Sequence, residues 1–223
     1  MAIYAFCGTK GGIGKTTLAV QFACAKARDG QRVLVLDADP QGSASASITL
    51  RADRPDLPQI AAGRVSDGRA LRAQALHQAT LFDIVVIDAG AGDSSALRAA
   101  LIVADVVTVP YGPREYDVWA LGEAAELIAE ARAQRDGLAA LAILNRGDPG
   151  VLNRRNAAAS DAAAEVAEFV ALDVAIGSRV AIADASAAGL AVAELPDPDP
   201  KASTEIARFV AAVTAAVEAK KST

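Results

Sequence analysis

Residues Cys7 to Thr17 read Cys-Gly-Thr-Lys-Gly-Gly-Ile-Gly-Lys-Thr-Thr. The glycines Gly11, Gly12 and Gly14 allow a tight backbone wrap that turns successive N–H groups toward an anion. Lys15 adds a cation within reach of phosphate oxygens, and the Thr16 hydroxyl is the hard-oxygen ligand that Mg²⁺ prefers. Gly11, Gly12, Ile13, Gly14, Lys15, Thr16 and Thr17 together form a cradle for a nucleoside triphosphate. Two apolar runs end in acids that could complete such a site. Val33-Leu-Val-Leu-Asp37 continues into Ala-Asp39-Pro-Gln-Gly42, and Phe82-Asp-Ile-Val-Val-Ile leads to Asp88. Alternation along an extended chain puts Asp37 and Asp39 on one side. An acidic pair in that place can also be a simple loop or helix cap.

A loop of this kind works only between a strand and a helix, whose positive dipole end faces the phosphates. The chain supplies that context. Strands are expected at Ile3–Cys7, Arg32–Asp37, Phe82–Asp88, Val106–Pro110, Ala139–Asn145 and Ala171–Ile176. Helices are expected near Lys15–Arg28, Gly68–Ala79, Ser94–Ala104, Glu115–Arg132, Leu152–Phe169, Arg179–Ala188 and Ala202–Lys220. This rhythm predicts an α/β fold, a doubly wound, mostly parallel sheet with helices on both faces and ligands at the carboxyl ends of its strands. No composition shift divides residues 1–223, so one domain is expected. Arg51–Asp67, with Pro55 and Pro58, reads as an irregular surface excursion, and Leu195–Pro200 as a stiff connector.

Composition narrows the chemistry further. With 52% hydrophobic but only 4% aromatic residues, the core must be built mainly from Ala, Val, Leu and Ile. A single histidine, His77, leaves little material for His-based catalysis or metal clusters, and reads as a surface residue. Cys7 and Cys24 lack metal-ligand spacing and read as small buried hydrophobes. No apolar run approaches the length of a membrane span, and the first strand lacks the character of a signal peptide, so a cytoplasmic protein is expected. The net charge of −5 argues against a uniformly basic coat, while leaving room for a local patch.

The phosphate loop departs from the strict Walker pattern: Thr9 stands where glycine is required, and Lys10 adds an early lysine. Lys10-Gly-Gly-x-Gly-Lys15-Thr16 resembles the deviant Walker A family of P-loop ATPases, which includes ParA, MinD, the nitrogenase iron protein and the arsenical-pump ATPase. The Asp-x-Asp-Pro-Gln-Gly string, with Asp39 placed 24 residues after Lys15, is similar to ParA proteins in particular. The resemblance implies ATP and Mg²⁺ as cofactors. It assigns Lys10 to the phosphates of a partner subunit in an ATP-sandwich homodimer, and Asp39 to the attacking water. Asp37 and Asp88 would support Mg²⁺ and its waters beside Thr16. The segment after Asp88 is Ala89-Gly-Ala-Gly92 rather than a proline-containing stretch, closer to the small ParF-like branch. Motif-level similarity runs to Ala142-Ile-Leu-Asn145-Arg146. There Asn145 is either an adenine contact, as the family implies, or a strand-end turn residue.

Two sub-families fit poorly. Both cysteines precede residue 25, which removes the cluster ligands of the iron protein. The final helix carries Ile206, Phe209, Val210, Val213 and Val217 at core spacing, unlike a membrane-docking MinD tail. The resemblance to ParA implies non-specific DNA binding, a nucleoid-associated location and a ParB-like or other cargo adaptor. Candidate DNA contacts are Arg154, Arg155, Arg179, Arg208, Lys220 and Lys221, each of which is alternatively a solvated charge. The loop starts by residue 8, so an operator-reading helix-turn-helix ahead of it is not expected. The leading expectation is an ATP-driven partition switch. The alternatives are a synthetase-type small-molecule enzyme and a dimeric ATPase with a non-DNA positioning surface.

Overall fold

The computed structural model describes residues 1–150 and 153–221, with side chains through residue 219. Seven parallel strands form one sheet in the order β3-β2-β4-β1-β5-β6-β7. They are β1 (Ala2–Phe6), β2 (Val33–Asp37), β3 (Ala61–Arg64), β4 (Ile84–Asp88), β5 (Val106–Tyr111), β6 (Ala139–Gly147) and β7 (Val170–Gly177). The helices between them are α1 (Lys15–Arg28), α2 (Ser43–Ala52), α3 (Gly68–Gln78), α4 (Ser95–Val103), α5 (Glu115–Gln134), α6 (Arg154–Ala164), α7 (Val180–Ala187) and α8 (Pro200–Lys221). The order reverses at β1, so the crevice beyond the carboxyl ends of β1, β2 and β4 is where a ligand belongs.

Val, Ile, Leu and Ala fill β1, β2, β4 and β5, whose residues are all buried. This is the pattern of strands covered on both faces. One face packs against α3, α4, α5 and α6, the other against α1, α2, α7 and α8. On the second face the few aromatics gather: Phe22 of α1 lies 4.6 Å from Tyr4 and 5.6 Å from Phe6, and Phe209 of α8 closes on both phenylalanines at 6.1 and 6.4 Å. Such pairs contribute about 0.5–1.5 kcal/mol each beyond area burial. The final helix is therefore core, with Ile206, Phe209, Val210, Val213 and Val217 buried as their spacing requires. Asp199 starts it by accepting the N–H groups of Lys201 and Ala202 around Pro200, whose fixed φ suits the first helical position.

Arg51–Asp67 is more regular than expected. Arg51 belongs to α2, and Ala61–Arg64 adds a short edge strand beside β2. Arg51 is fully buried and forms a two-pronged ion pair with Glu194 at 2.7 and 2.8 Å. Its other donors reach the carbonyls of Pro58 and Gly189. The guanidinium thus ties α2, the excursion after it and the turn before α8 into one assembly. Cys7 and Cys24 are buried, and His77 is exposed. Helix α6 is shorter than the expected Leu152–Phe169, and Leu152 lies outside the described residues.

Candidate nucleotide site

The phosphate loop runs from the end of β1 to Lys15, the first residue of α1, and Gly14 sits at the helix cap with φ 92°. A side chain there would be strained, and it would also collide with Asn145, whose Nδ2 lies 2.2 Å from the place a Cβ would take. That amide donates to the carbonyl of Ile13 at 2.7 Å. Asn145 lies near the end of β6 and is buried, and the structure brings its side chain to the phosphate loop. The next residue, Arg146, is the one non-glycine residue with positive φ (56°) among the described residues. Gly11 and Gly12 are exposed at the rim, Thr17 is half-buried beside Thr16, and Ile13 is buried beneath the loop.

Lys15 is buried, and its ammonium donates to the Lys10 carbonyl at 2.7 Å. Burial pulls its pKa below the usual lysine value, against the opposing pull of Asp88. Thr16 donates its hydroxyl hydrogen to Asp88 Oδ2 at 2.7 Å. Strands β2 and β4 pair Asp37 with Asp88 at their carboxyl ends. Burial, and then repulsion from Asp37 and Asp39, pushes the Asp88 carboxyl up to about 7 despite the Thr16 bond. Its second oxygen, Oδ1, is buried with no hydrogen-bond partner. A buried carboxylate oxygen lacking a partner, beside a hydroxyl and two further carboxylates, is a donor set that fits Mg²⁺. Among the described residues no three acidic, His or Cys side chains form a metal cage by themselves, so phosphate and water would have to supply most of the ligands.

Asp37 and Asp39 divide in role. Both Asp37 oxygens accept backbone N–H groups, Oδ1 from Asp39 at 3.1 Å and Oδ2 from Ser45 at 2.8 Å. Asp37 therefore starts α2 and fixes the turn that carries Asp39. The half-buried Asp39 accepts the Gln41 N–H through Oδ1. Its Oδ2 faces Gly90, where a Cβ would come within 3.3 Å. The Ala89–Gly92 segment is tied back to the loop by the Gly92 N–H on the Thr9 carbonyl at 2.9 Å.

Lys10 forms an ion pair with Asp117 of α5, and Thr9 donates to the Ala120 carbonyl one turn along at 3.3 Å. These two residues, which break the strict Walker pattern, strap the loop to α5. Asp117 was missed in the sequence because nothing local marks its partner, 107 residues away.

Known proteins share this fold. Residues 4–211 match the model of the CobQ/CobB/MinD/ParA nucleotide binding domain. The chain belongs to this family. Curated relatives lie on its ParA/MinD side. The chromosome-partitioning ATPase Soj of Thermus thermophilus is 32% identical over 161 residues, 60% of this chain and 63% of Soj. The maintenance of carboxysome distribution protein A of Gloeobacter kilaueensis is 40% identical over 117 residues, 51% of this chain and 50% of that protein. The matched stretches thus span less than two thirds of these relatives. Among solved structures, apo McdA of Cyanothece superposes with a TM-score of 0.79 at 20% identity, covering 96% of this chain and 99% of the other. MinD of Pyrococcus horikoshii, solved with Mg-ADP, gives 0.74 at 20% identity with 98% of both chains covered. At that identity these two establish the ParA/MinD P-loop fold.

Among the described residues, most of the basic side chains expected on DNA make ion pairs or hydrogen bonds within the chain. Arg179 is committed to Glu205 at 2.6 and 2.9 Å and lies 3.7 Å from Asp199. Arg155 pairs with Asp148 at 2.9 Å, and Arg208 donates to the Asp173 carbonyl. Arg154 is exposed at the start of α6. The side chains of Lys220 and Lys221 lie outside the described residues. No helix among the described residues is long and apolar enough to cross a membrane.

Proposed function

We infer that this chain is an ATP-hydrolysing positioning switch acting as a single unit over residues 1–223. The observation that carries this reading is the convergence of Lys15, Thr16, Asp88 and Asp39 on one phosphate loop that also bears Lys10. A water-facing carboxylate is of no use to a scaffold that only binds nucleotide.

Bound ATP with Mg²⁺ supplies a γ-phosphoryl group whose transfer to water is favoured by neutralising its oxygens. The loop N–H groups and Lys15 hold the phosphates. Thr16 and Asp88 take the metal and its waters, with the remaining lone pairs of Asp37 in support. Asp39 orients the attacking water through Oδ2, the oxygen that Gln41 leaves open. Lys10 leaves Asp117 and reaches across a homodimer to the partner's phosphates. Asn145 fixes the loop and borders the adenine.

The likeness to Soj and to carboxysome-distribution proteins supports a cargo-positioning role in the cytoplasm, with non-specific DNA as the track and an adaptor protein on the cargo triggering release. The ion pairs at Arg155 and Arg179 favour a second reading, a dimeric ATPase whose positioning surface is something other than DNA. ATP-dependent retention on non-specific double-stranded DNA, for wild type and Asp39→Ala at two salt concentrations, separates them. Salt-sensitive retention that persists in Asp39→Ala supports the DNA track. Absence of retention with every nucleotide leaves the ATPase and removes the track.

A further inference from the structure

The turn that carries Asp39 is held by hydrogen bonds rather than by packing. Pro40 and Gln41 are exposed, and only Gly42 behind them is buried. Within the turn, the Gly42 N–H donates to the Asp39 carbonyl at 3.0 Å. From outside, Arg64 at the carboxyl end of β3 lies against it, and Nη2 donates to the Pro40 carbonyl at 2.8 Å. Strand register brings Arg64 there: it pairs with Asp37 of β2, which pairs in turn with Asp88 of β4. Gly42 leaves the room. Its φ is 71°, and a Cβ on it would come within 2.5 Å of the guanidinium carbon.

The Pro40 carbonyl and the Gln41 N–H belong to one peptide unit. That unit is planar, so fixing the direction of its carbonyl fixes the direction of its N–H. The N–H donates to Asp39 Oδ1 at 2.8 Å. A continuous chain thus runs from the guanidinium through the peptide to one carboxylate oxygen, and a cationic donor at its head polarises the bond that follows. We propose that Arg64 is a positioning residue for ATP hydrolysis: through the Pro40–Gln41 peptide it holds Asp39 with Oδ1 occupied and Oδ2 turned to the attacking water. The inference rests on the reading of Asp39 as the group that orients this water, and adds what orients Asp39 itself. Stability does not account for the arginine. Its side chain is exposed and makes one hydrogen bond among the described residues, which adds little to folding.

The test compares the full chain with Arg64→Ala, Arg64→Lys and Asp39→Ala. Four quantities are measured: hydrolysis at saturating ATP, affinity for a non-hydrolysable ATP analogue with Mg²⁺, the melting temperature, and the Gln41 amide resonance of isotope-labelled protein. Arg64→Ala is expected to lose about tenfold in kcat with analogue affinity and melting temperature unchanged. Its Gln41 amide proton should move upfield, because the bond to Asp39 loses the polarisation that the guanidinium supplies. Arg64→Lys should fall between, since an ammonium keeps the charge but not the flat fork that lies over Gly42. A wild-type kcat in Arg64→Ala, an unmoved Gln41 resonance, or a kcat that falls only in step with affinity or melting temperature would overturn the proposal. If Asp39→Ala loses hydrolysis while Arg64→Ala keeps it, this proposal fails and the reading of Asp39 stands. If Asp39→Ala hydrolyses ATP as wild type does, the reading of Asp39 fails and takes the proposal with it.

Discussion

Asn145 donates its amide hydrogen to the Ile13 carbonyl at 2.7 Å, so the carboxyl end of β6 is bolted to the phosphate loop. The bond is buried and spans 132 residues of sequence. It explains why Gly14 tolerates no side chain: the amide occupies the space a Cβ would need.

Removing that bolt leaves the Ile13 carbonyl without its partner beneath the loop. Asn145→Ala is expected to lose about 1–3 kcal/mol of stability and to bind ATP more weakly. Urea unfolding with and without nucleotide checks both. Unchanged nucleotide affinity would show that the loop holds its shape without Asn145.

Gly90 is the contact surface of Asp39. Gly90→Ala pushes a methyl against Asp39 Cγ and Oδ2. Small misplacements of a group that must orient water are costly, so kcat is expected to fall about 10- to 100-fold with ATP affinity retained. Steady-state kinetics beside a direct binding measurement separates the two quantities, and a parallel loss of affinity would place the damage in the loop instead.

The Arg51–Glu194 pair makes a prediction about pH. Burial pushes the Glu194 carboxyl up, but the Arg51 bond and the Ala191 N–H overcome it and hold the pKa below the usual glutamate value. A depressed carboxylate pKa adds stability that is present above the unfolded-state value, near 4.3, and lost as pH falls through the folded one. Glu194→Gln is therefore expected to be less stable at pH 7, by about 3–5 kcal/mol, with a flatter loss of stability between pH 5 and 3. Thermal melts across that range test this; parallel curves for the two proteins would contradict it.

Both thiols are held inert by burial, which pushes Cys7 and Cys24 up to about 12. The thiolate is the reactive form, so neither should react with a thiol reagent at pH 8 in the folded protein, and both should react in denaturant. Prompt labelling of one thiol under native conditions would reveal local opening of its helix or strand.

The phosphate loop and the acids at the ends of β2 and β4 were legible because each motif is contiguous and each strand is an unbroken apolar run. Helix α2 was not. Its first turn, Ser43-Ala-Ser-Ala, favours capping over helix, and its true cap is the side chain of Asp37 on the preceding strand. Strand β3 reads Ala-Ala-Gly-Arg, with no β-branched residue to mark it, and pairs only because β2 offers a free edge. Arg51 opened what read as a surface excursion, and Arg179 read as a DNA contact or a solvated charge. Their partners, Glu194 and Glu205, stand 143 and 26 residues further on, and no local pattern announces such pairings. The Lys10–Asp117 pair was hidden for the same reason.

The separation of Arg51 from Glu194 also has a consequence on the ribosome. Glu194 is made 143 residues after Arg51, which at ordinary synthesis rates is roughly 7 to 30 s. Throughout that interval the guanidinium lacks the carboxylate that neutralises it when buried, so water is favoured over its final seat. The nucleotide-binding half of the sheet is thus complete in sequence long before it can close in space. A nascent chain released before Glu194 emerges should be a substrate for chaperones and proteases rather than a working half-protein.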